Sequence, residues 1–177
     1  MKTLYLVRHT TPKIEHGICY GRLDIPVAEN FAAEAEQVRT WLPPVDLVIT
    51  SPLQRCQRLA EHIALHQGRP IQTEARLQEM HFGDWEGRAW NDIARDEIDA
   101  WAADILRHAP PHGESALQLM QRVASCMQDI ASLPQQRIAI VAHGGSIRAV
   151  LAQLADVPLA DTLDWQIEFG GVLAVRI

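Results

Sequence analysis

Leu4-Tyr5-Leu6-Val7-Arg8-His9-Thr10 places four strand-forming residues directly before a cation and an imidazole. A buried strand of this kind delivers Arg8 and His9 to the edge of a sheet. The arrangement recurs far down the chain, where Ile138-Ala139-Ile140-Val141-Ala142 runs into His143-Gly144-Gly145-Ser146. A third apolar run, Val45-Asp46-Leu47-Val48-Ile49-Thr50, leads into Ser51-Pro52-Leu53-Gln54-Arg55. In open α/β sheets ligands bind beyond the carboxyl ends of the strands, so side chains just past three such ends can converge although they are distant in sequence. Arg8, His9, Arg55 and His143 are therefore expected at one point.

Between these runs the apolar spacing is helical. Phe31, Ala35, Val38 and Leu42 predict a helix that Pro43-Pro44 ends, and Leu53, Cys56, Ala60 and Ile63 mark the buried face of another. Ser51 reads as the N-cap of that second helix, with Pro52 in its first turn and Gln54 completing a capping box. Arg55 then falls in the first turn, where free amide groups and the helix dipole favour an anion, while Arg58 is expected in solvent. Pro70 to Thr73 predicts a short strand, and Leu77 to Asp84 a return toward the sheet edge. A long helix is expected over Asn91 to Leu106, its apolar face interrupted by Glu97. Ser115-Ala116-Leu117-Gln118 is a second capping box, ahead of an apolar stripe formed by Leu117, Met120, Ala124, Met127 and Ala131. A helix from Ser146 to Leu154 and two short strands, Trp165 to Glu168 and Val172 to Arg176, close the chain. Strands alternating with helices predict a three-layer α/β/α sandwich with a mostly parallel central sheet, in a single domain over residues 1–177.

Composition bounds the function. A chain of 177 residues with 47% hydrophobic content builds a sizeable core. Its net charge of −6 argues against nucleic acid as a partner, yet leaves room for a small anionic substrate in a locally positive cleft. Arg8 cuts the first apolar run short of a signal peptide, and no run approaches the roughly 20 apolar residues of a membrane span, so a soluble cytoplasmic protein is expected. Cys19, Cys56 and Cys126 are odd in number and widely spaced, which predicts reduced structural thiols. Pro12 to Pro26 is a loop of about 15 residues, long enough to suggest a functional role.

A neutral histidine with one bare nitrogen can attack phosphorus, and arginine forks hold phosphoryl oxygens while a second histidine stabilises the charge that spreads over them. No glycine-rich phosphate loop is present, so side chains would have to build the site. The eight histidines include no His-Glu-x-x-His, the acidic residues form no obvious metal-binding array, and no metal or cofactor is expected. Cleavage of a phosphomonoester also needs a proton for the leaving oxygen. Glu79 is the best candidate, in Leu77-Gln78-Glu79-Met80-His81-Phe82-Gly83-Asp84-Trp85-Glu86-Gly87.

Arg8-His9-Thr10, Ser51-Pro52-Leu53-Gln54-Arg55, Glu79 with Phe82 to Gly87, and Ala142-His143-Gly144 together resemble the histidine phosphatase (phosphoglycerate mutase-like) superfamily, in family order along almost the whole chain. The resemblance implies His9 as phosphorylated nucleophile, Arg8, Arg55 and His143 as phosphate pocket, Glu79 as proton donor, and no metal. Gly17-Ile18-Cys19-Tyr20-Gly21-Arg22-Leu23-Asp24-Ile25-Pro26 looks like the α-ribazole phosphatases of cobalamin synthesis, with Tyr20, Gly21, Arg22 and Gly144 as candidate substrate contacts. Alternatives are a broad-specificity phosphatase, a phosphoglycerate mutase, or a catalytically silent phospho-ligand or protein-binding domain. Two departures stand out: Thr10 where the family has Gly, and Ile14-Glu15 where many members carry a phosphate-contacting Asn. The sequence leaves the leaving group and the oligomeric state open.

Other residues have plainer readings. Trp85, Trp90 and Trp101 read as packing, His81 as solvated, and Glu114 as possible support for the site, with Ser115 already explained as an N-cap. His16, His62, His66, His108 and His112 are indistinguishable from surface histidines.

Overall fold

In the computed structural model, which describes residues 1–177, the apolar runs become five strands: β1 (Thr3–Arg8), β2 (Leu47–Thr50), β3 (Ile71–Thr73), β4 (Arg137–Ala142) and β5 (Val172–Arg176). Their order across the sheet is β3-β2-β4-β1-β5. All neighbours are parallel except β5, which pairs antiparallel with β1 at the edge. The middle strand β4 is buried from Ile138 onward, as its unbroken apolar run requires of a parallel strand covered on both faces.

Four helices do the covering, α1 (Phe31–Trp41), α2 (Gln54–Gln67), α4 (Ala116–Ser132) and α5 (Gly144–Ala155), while Ile98 and Trp101 of α3 (Arg95–Ala103) pack on a separate small cluster of Cys19, Trp85 and Ile93. Alternation along the strands divides the core between two faces. Leu4, Leu6, Ile49, Ile138 and Ile140 pack with Leu119, Val123 and Ile130 of α4 and Ile147 and Val150 of α5. Val7, Val48, Ala139 and Val141 pack instead with Ala35 and Val38 of α1 and Cys56, Leu59 and Ile63 of α2. The predicted three-layer sandwich is the one observed. No helix is long and apolar enough to cross a membrane, and all three cysteines are buried and free.

Four local expectations need correction. The buried stripe of α4 is Ala116, Leu119, Val123, Cys126 and Ile130, one residue removed from the predicted stripe, and Leu117 is 39% exposed. The helix is apolar over a wide arc, so spacing alone left its rotation undetermined. The long helix of residues 91–106 shrinks to α3, preceded by a 3₁₀ turn at Trp90–Asp92. Glu97, read as an interruption, accepts a 2.8 Å hydrogen bond from the indole nitrogen of buried Trp85. Residues 165–168 form no strand and instead lead into the loop that crosses Arg8 and His9. Apart from these, the Pro12 to Pro26 loop is pinned. Backbone bonds join Cys19 to Arg88 and to Gly87, each at 2.8 Å, and Trp90 to Gly17 at 2.9 Å.

Both halves of the predicted Ser115 capping box are present. The other end of α4 is closed by Lys2, whose buried ammonium donates to the carbonyls of Ile130 (2.7 Å), Ala131 (3.0 Å) and Leu133 (2.7 Å). The Ile130 carbonyl also accepts from Leu133 N at 3.2 Å, but carbonyls at a helix end lack the full set of intrahelical donors, and a cation also suits the negative end of the dipole. Lys2→Met keeps the apolar stem and removes all three donors, so urea unfolding should show a loss of about 1.5–3 kcal/mol. Unchanged stability would mean that water satisfies these carbonyls equally well.

Candidate active site

Register decides where the chemistry gathers. Arg8 lies opposite Ala142 and Thr50 opposite Val141, so β1, β2 and β4 stop at nearly one level. The residues that follow continue the ladder, His9 N donating to Ala142 O and Ser51 N to Val141 O, both at 3.0 Å.

His9 is 2% exposed, and its Nδ1 lies 2.7 Å from the Thr10 carbonyl. A carbonyl can only accept, so Nδ1 carries the hydrogen and Nε2 keeps its lone pair. Burial first, then the charges of Arg55 and Arg8, holds the ring well below the ordinary histidine pKa, against the opposing pull of the Thr10 bond. The His143 ring meets that of His9 edge to face, 5.1 Å between centroids. It too is held well below the ordinary value, by burial and then by His9 and Arg55.

The capping box predicted at Ser51 does not form, because Ser51 N donates to Val141 O and the Gln54 side chain turns to Asp24; Ser51 Oγ keeps only a 3.4 Å contact from Leu53 N. Ser51 Oγ is hydrogen-bonded to His143 Nε2 at 2.8 Å, with Cys56 Sγ 3.4 Å from the same nitrogen. α2 starts later, with Leu53 in the N-cap position and no side-chain cap of its own. Asp24 supplies the missing acceptors from the long loop, at 2.8 Å from Gln54 N and 3.0 Å from Gln54 Nε2.

The two arginines are steered by carbonyls. Arg55 is fully buried and donates to Leu23 O (2.9 Å) and Gly21 O (2.6 Å). Arg8 donates to Ile167 O at 2.5 Å, with the Phe169 ring centre 3.9 Å from its Cζ. Burial lowers the pKa of the Arg8 guanidinium. Nε of Arg8, Nε of Arg55 and Oγ1 of Thr10 are all buried without a protein partner.

Glu79 reaches the same place from the segment after β3. Its Oε1 accepts from Met80 N (2.9 Å) and its Oε2 from Gly145 N in the first turn of α5 (3.0 Å). A Cβ on Gly145 would lie 2.2 Å from Oε1, so only glycine admits the carboxylate there. Arg122 of α4 holds the backbone behind Glu79, donating to the carbonyls of Arg76 (2.6 Å), Gln78 (2.7 Å) and Glu79 (2.9 Å). The same guanidinium is paired with buried Glu114, which also accepts from His81 N at 3.0 Å. Burial alone would raise the Glu114 pKa, but the Arg122 bond and charge bring it below its ordinary value.

Arg8, His9, Ile18, Tyr20, Glu79, Phe82 and Trp90 line one cavity of about 220 Å³. Glu79 and Phe82 also line a second, apolar one of about 300 Å³ together with Trp101, Leu119, Leu159 and Leu163. The five predicted catalytic residues are thus brought together, and Tyr20 joins them. A Cβ on Gly144 would stand 3.5 Å from Arg8 Cζ, which puts that glycine at the edge of the cluster. Gly21 and Arg22 have other work. Gly21 orients Arg55 through its carbonyl, and a Cβ there would stand 1.8 Å from Met80 O. The Arg22 side chain turns to Glu114 at 3.3 Å. Sequence reading missed the hydroxyl role of Ser51, the need for Gly145, the Phe169 cover, the Arg122 support and the place of Trp90 in the wall. Only the Gly144-Gly145 pair left a visible trace.

The family profile described as the histidine phosphatase superfamily (branch 1) matches residues 4–177. "Putative phosphoserine phosphatase 2" of Hydrogenobacter thermophilus is 31% identical over 100% of this chain and 90% of its own length. The adenosylcobalamin/alpha-ribazole phosphatase of Escherichia coli (strain K12) is 29% identical, covering 98% of this chain and 89% of that protein. Among solved structures, the alpha-ribazole phosphatase from Shigella flexneri superposes with a TM-score of 0.91 at 28% identity, covering 99% of this chain and 90% of that one.

Two histidines kept neutral by burial give stability a defined pH dependence. Unfolding restores each to its ordinary value near 6.5, so below that pH the unfolded chain binds protons that the folded one does not. Stability should hold above pH 6.5 and fall as the pH drops below it, with a slope of up to about 1.4 kcal/mol per pH unit for each ring. Urea titrations from pH 8 to 5 should show this slope reduced in His9→Gln; an unaltered slope would place the titration elsewhere. Gly145→Ala should lower kcat about tenfold or more by displacing Glu79, with far-UV circular dichroism unchanged.

Proposed function

The chain belongs to the histidine phosphatase superfamily and is a phosphoric monoester hydrolase, and we propose that residues 1–177 act as one catalytic unit through a phosphohistidine on His9. One observation carries this reading. The free lone pair on His9 Nε2 sits beside two guanidinium groups whose Nε donors have no protein acceptor. Buried donors left unpaired are costly, and phosphoryl oxygens are acceptors of the required charge.

Arg8, Arg55 and His143 orient the phosphoryl group, and His9 Nε2 attacks phosphorus. The bond to the leaving oxygen breaks as Glu79 delivers a proton to that oxygen. Water then attacks phosphohistidine and gives its proton to Glu79, the N–P bond breaks, and inorganic phosphate leaves. The guanidinium groups supply the positive charge at phosphorus, so the scheme routes no step through a metal.

For the leaving group we infer α-ribazole, released from α-ribazole 5′-phosphate or from its adenosylcobalamin counterpart. The likeness to the α-ribazole phosphatases supports this over nearly the whole chain. The apolar cavity next to Glu79 supports it too, because it offers room and aromatic walls to an aromatic nucleoside that a serine would not need. The name of the Hydrogenobacter relative makes phosphoserine the competing substrate.

The deciding assay is phosphate release with chelator present, comparing α-ribazole 5′-phosphate, phosphoserine, 3-phosphoglycerate and nitrophenyl phosphate, with His9→Ala as blank. At least tenfold higher kcat/KM for α-ribazole 5′-phosphate is expected, and equal rates would withdraw that substrate while keeping the chemistry. Absence of any His9-dependent release would favour a phospho-ligand-binding role, and conversion of 3-phosphoglycerate without phosphate release a mutase. Glu79→Gln should slow α-ribazole 5′-phosphate cleavage by roughly 10²-fold or more but nitrophenyl phosphate far less, since nitrophenolate needs no proton to depart. Equal losses on both would remove Glu79 from the role of acid.

A further inference from the structure

Helices α1 and α2 lie against the face of the sheet opposite α4 and α5, and they bring together three metal-ligating side chains, none of which lines the cavity at His9. His62 and His66 are one helical turn apart on α2, so they share a face, and Glu36 of α1 stands next to them. One ligand atom from each of the three lies within 4.8 Å of the others. His62 Nε2 is 3.8 Å from Glu36 Oε2 and is buried without a hydrogen-bond partner. The two rings lie 4.3 Å apart, centroid to centroid. His66 Nδ1 is 2.8 Å from the His62 carbonyl, which fixes the hydrogen on Nδ1 and leaves Nε2 with its lone pair. A backbone carbonyl fixing one imidazole nitrogen so that the other can ligate is a recurrent feature of metal sites.

We propose that Glu36, His62 and His66 form a binding site for a borderline transition cation, with Zn²⁺ as the reference ion. Two imidazole nitrogens and one carboxylate oxygen suit Zn²⁺, Ni²⁺ or Cu²⁺, and water completes the coordination. Ca²⁺ and Mg²⁺ prefer all-oxygen shells and are not expected to bind. Tetrahedral bonds of about 2.0–2.2 Å require the three ligand atoms to close in by roughly 1 Å. Glu36 can make that movement, because its side chain is 50% exposed.

The competitor is Arg39, whose Nε lies 2.9 Å and 2.8 Å from the two Glu36 carboxylate oxygens. An exposed pair of this kind contributes little, and the long arginine swings into solvent when a cation takes the carboxylate. Filled, the site ties α1 to α2, and α2 carries Arg55 near its start. A cation that binds only the folded chain stabilises it by mass action, independently of the chemistry at His9.

Titrating the full-length protein with Zn²⁺ in an isothermal calorimeter tests this. One Zn²⁺ per chain with micromolar affinity is expected, along with a rise of a few degrees in Tm at saturating metal. The affinity should weaken at least tenfold in His66→Ala and in Glu36→Gln, with a smaller Tm rise at the same metal concentration, and both effects should persist in His9→Ala, which separates this site from the buried histidines. His66 is exposed, so its removal leaves the core intact. Cu²⁺ electron paramagnetic resonance should show two nitrogen ligands in the wild type and one in His66→Ala. No binding up to ~100 µM Zn²⁺, or binding undiminished in His66→Ala, would overturn the proposal.

Discussion

Parallel pairing that sets Arg8 against Ala142 and Thr50 against Val141 is the constraint on which the rest depends. It ends three strands at one level, and a strand end is where backbone direction changes and side chains can leave the sheet plane. His9, Ser51 and His143 all follow such an end. A slip of one residue in any strand would turn its following side chain to the opposite face and scatter the group. The alternating core prevents that slip, because Leu4 and Leu6 fit only the face of α4 and α5, and Val7 only the face of α1 and α2.

Gathering two imidazoles and two guanidinium groups in a buried place is unfavourable in itself. The protein meets this in two ways. Burial keeps both rings neutral, which suits His9 to nucleophilic attack. The charges that persist are surrounded by acceptors: carbonyls of Gly21 and Leu23 for Arg55, Ile167 for Arg8. The Pro12 to Pro26 loop therefore shapes the site chiefly from behind. Glu86 binds that loop to the Glu79 segment, its carboxylate accepting from the backbone nitrogens of Arg22 and Phe82, each at 3.0 Å.

Much of this was legible in the residues themselves. Apolar runs marked the strands that carry the site, periodicity marked α1, α2 and α4, and the cation and histidines at the strand ends marked the cluster. Legibility failed where two physical explanations competed for one residue. Ser51 satisfies every local rule for an N-cap, yet its backbone nitrogen belongs to the sheet ladder, its hydroxyl also bonds His143, and Asp24 accepts from Gln54 at the helix start. Glu97 looked like a flaw in an apolar face because its partner, the Trp85 indole, lies in another segment. His62 and His66 show helical spacing in the sequence, but Glu36, on a different helix, had to be placed before they meant anything.

By itself the sequence determined the layered α/β architecture and the strand ends at which the candidate residues Arg8, His9, Arg55 and His143 gather, and it offered Glu79 as a further candidate. These depend on period and on local succession, which a linear chain contains. Only the tertiary structure decided the tautomer of His9, the rotation of α4, the diversion of Arg22 to Glu114, and the supports that Gly145, Arg122 and Phe169 give the site. Each depends on a partner more than thirty residues away or on the direction of a single hydrogen bond. Such pairings are selected by packing among many sterically possible ones, and no local pattern encodes the winner.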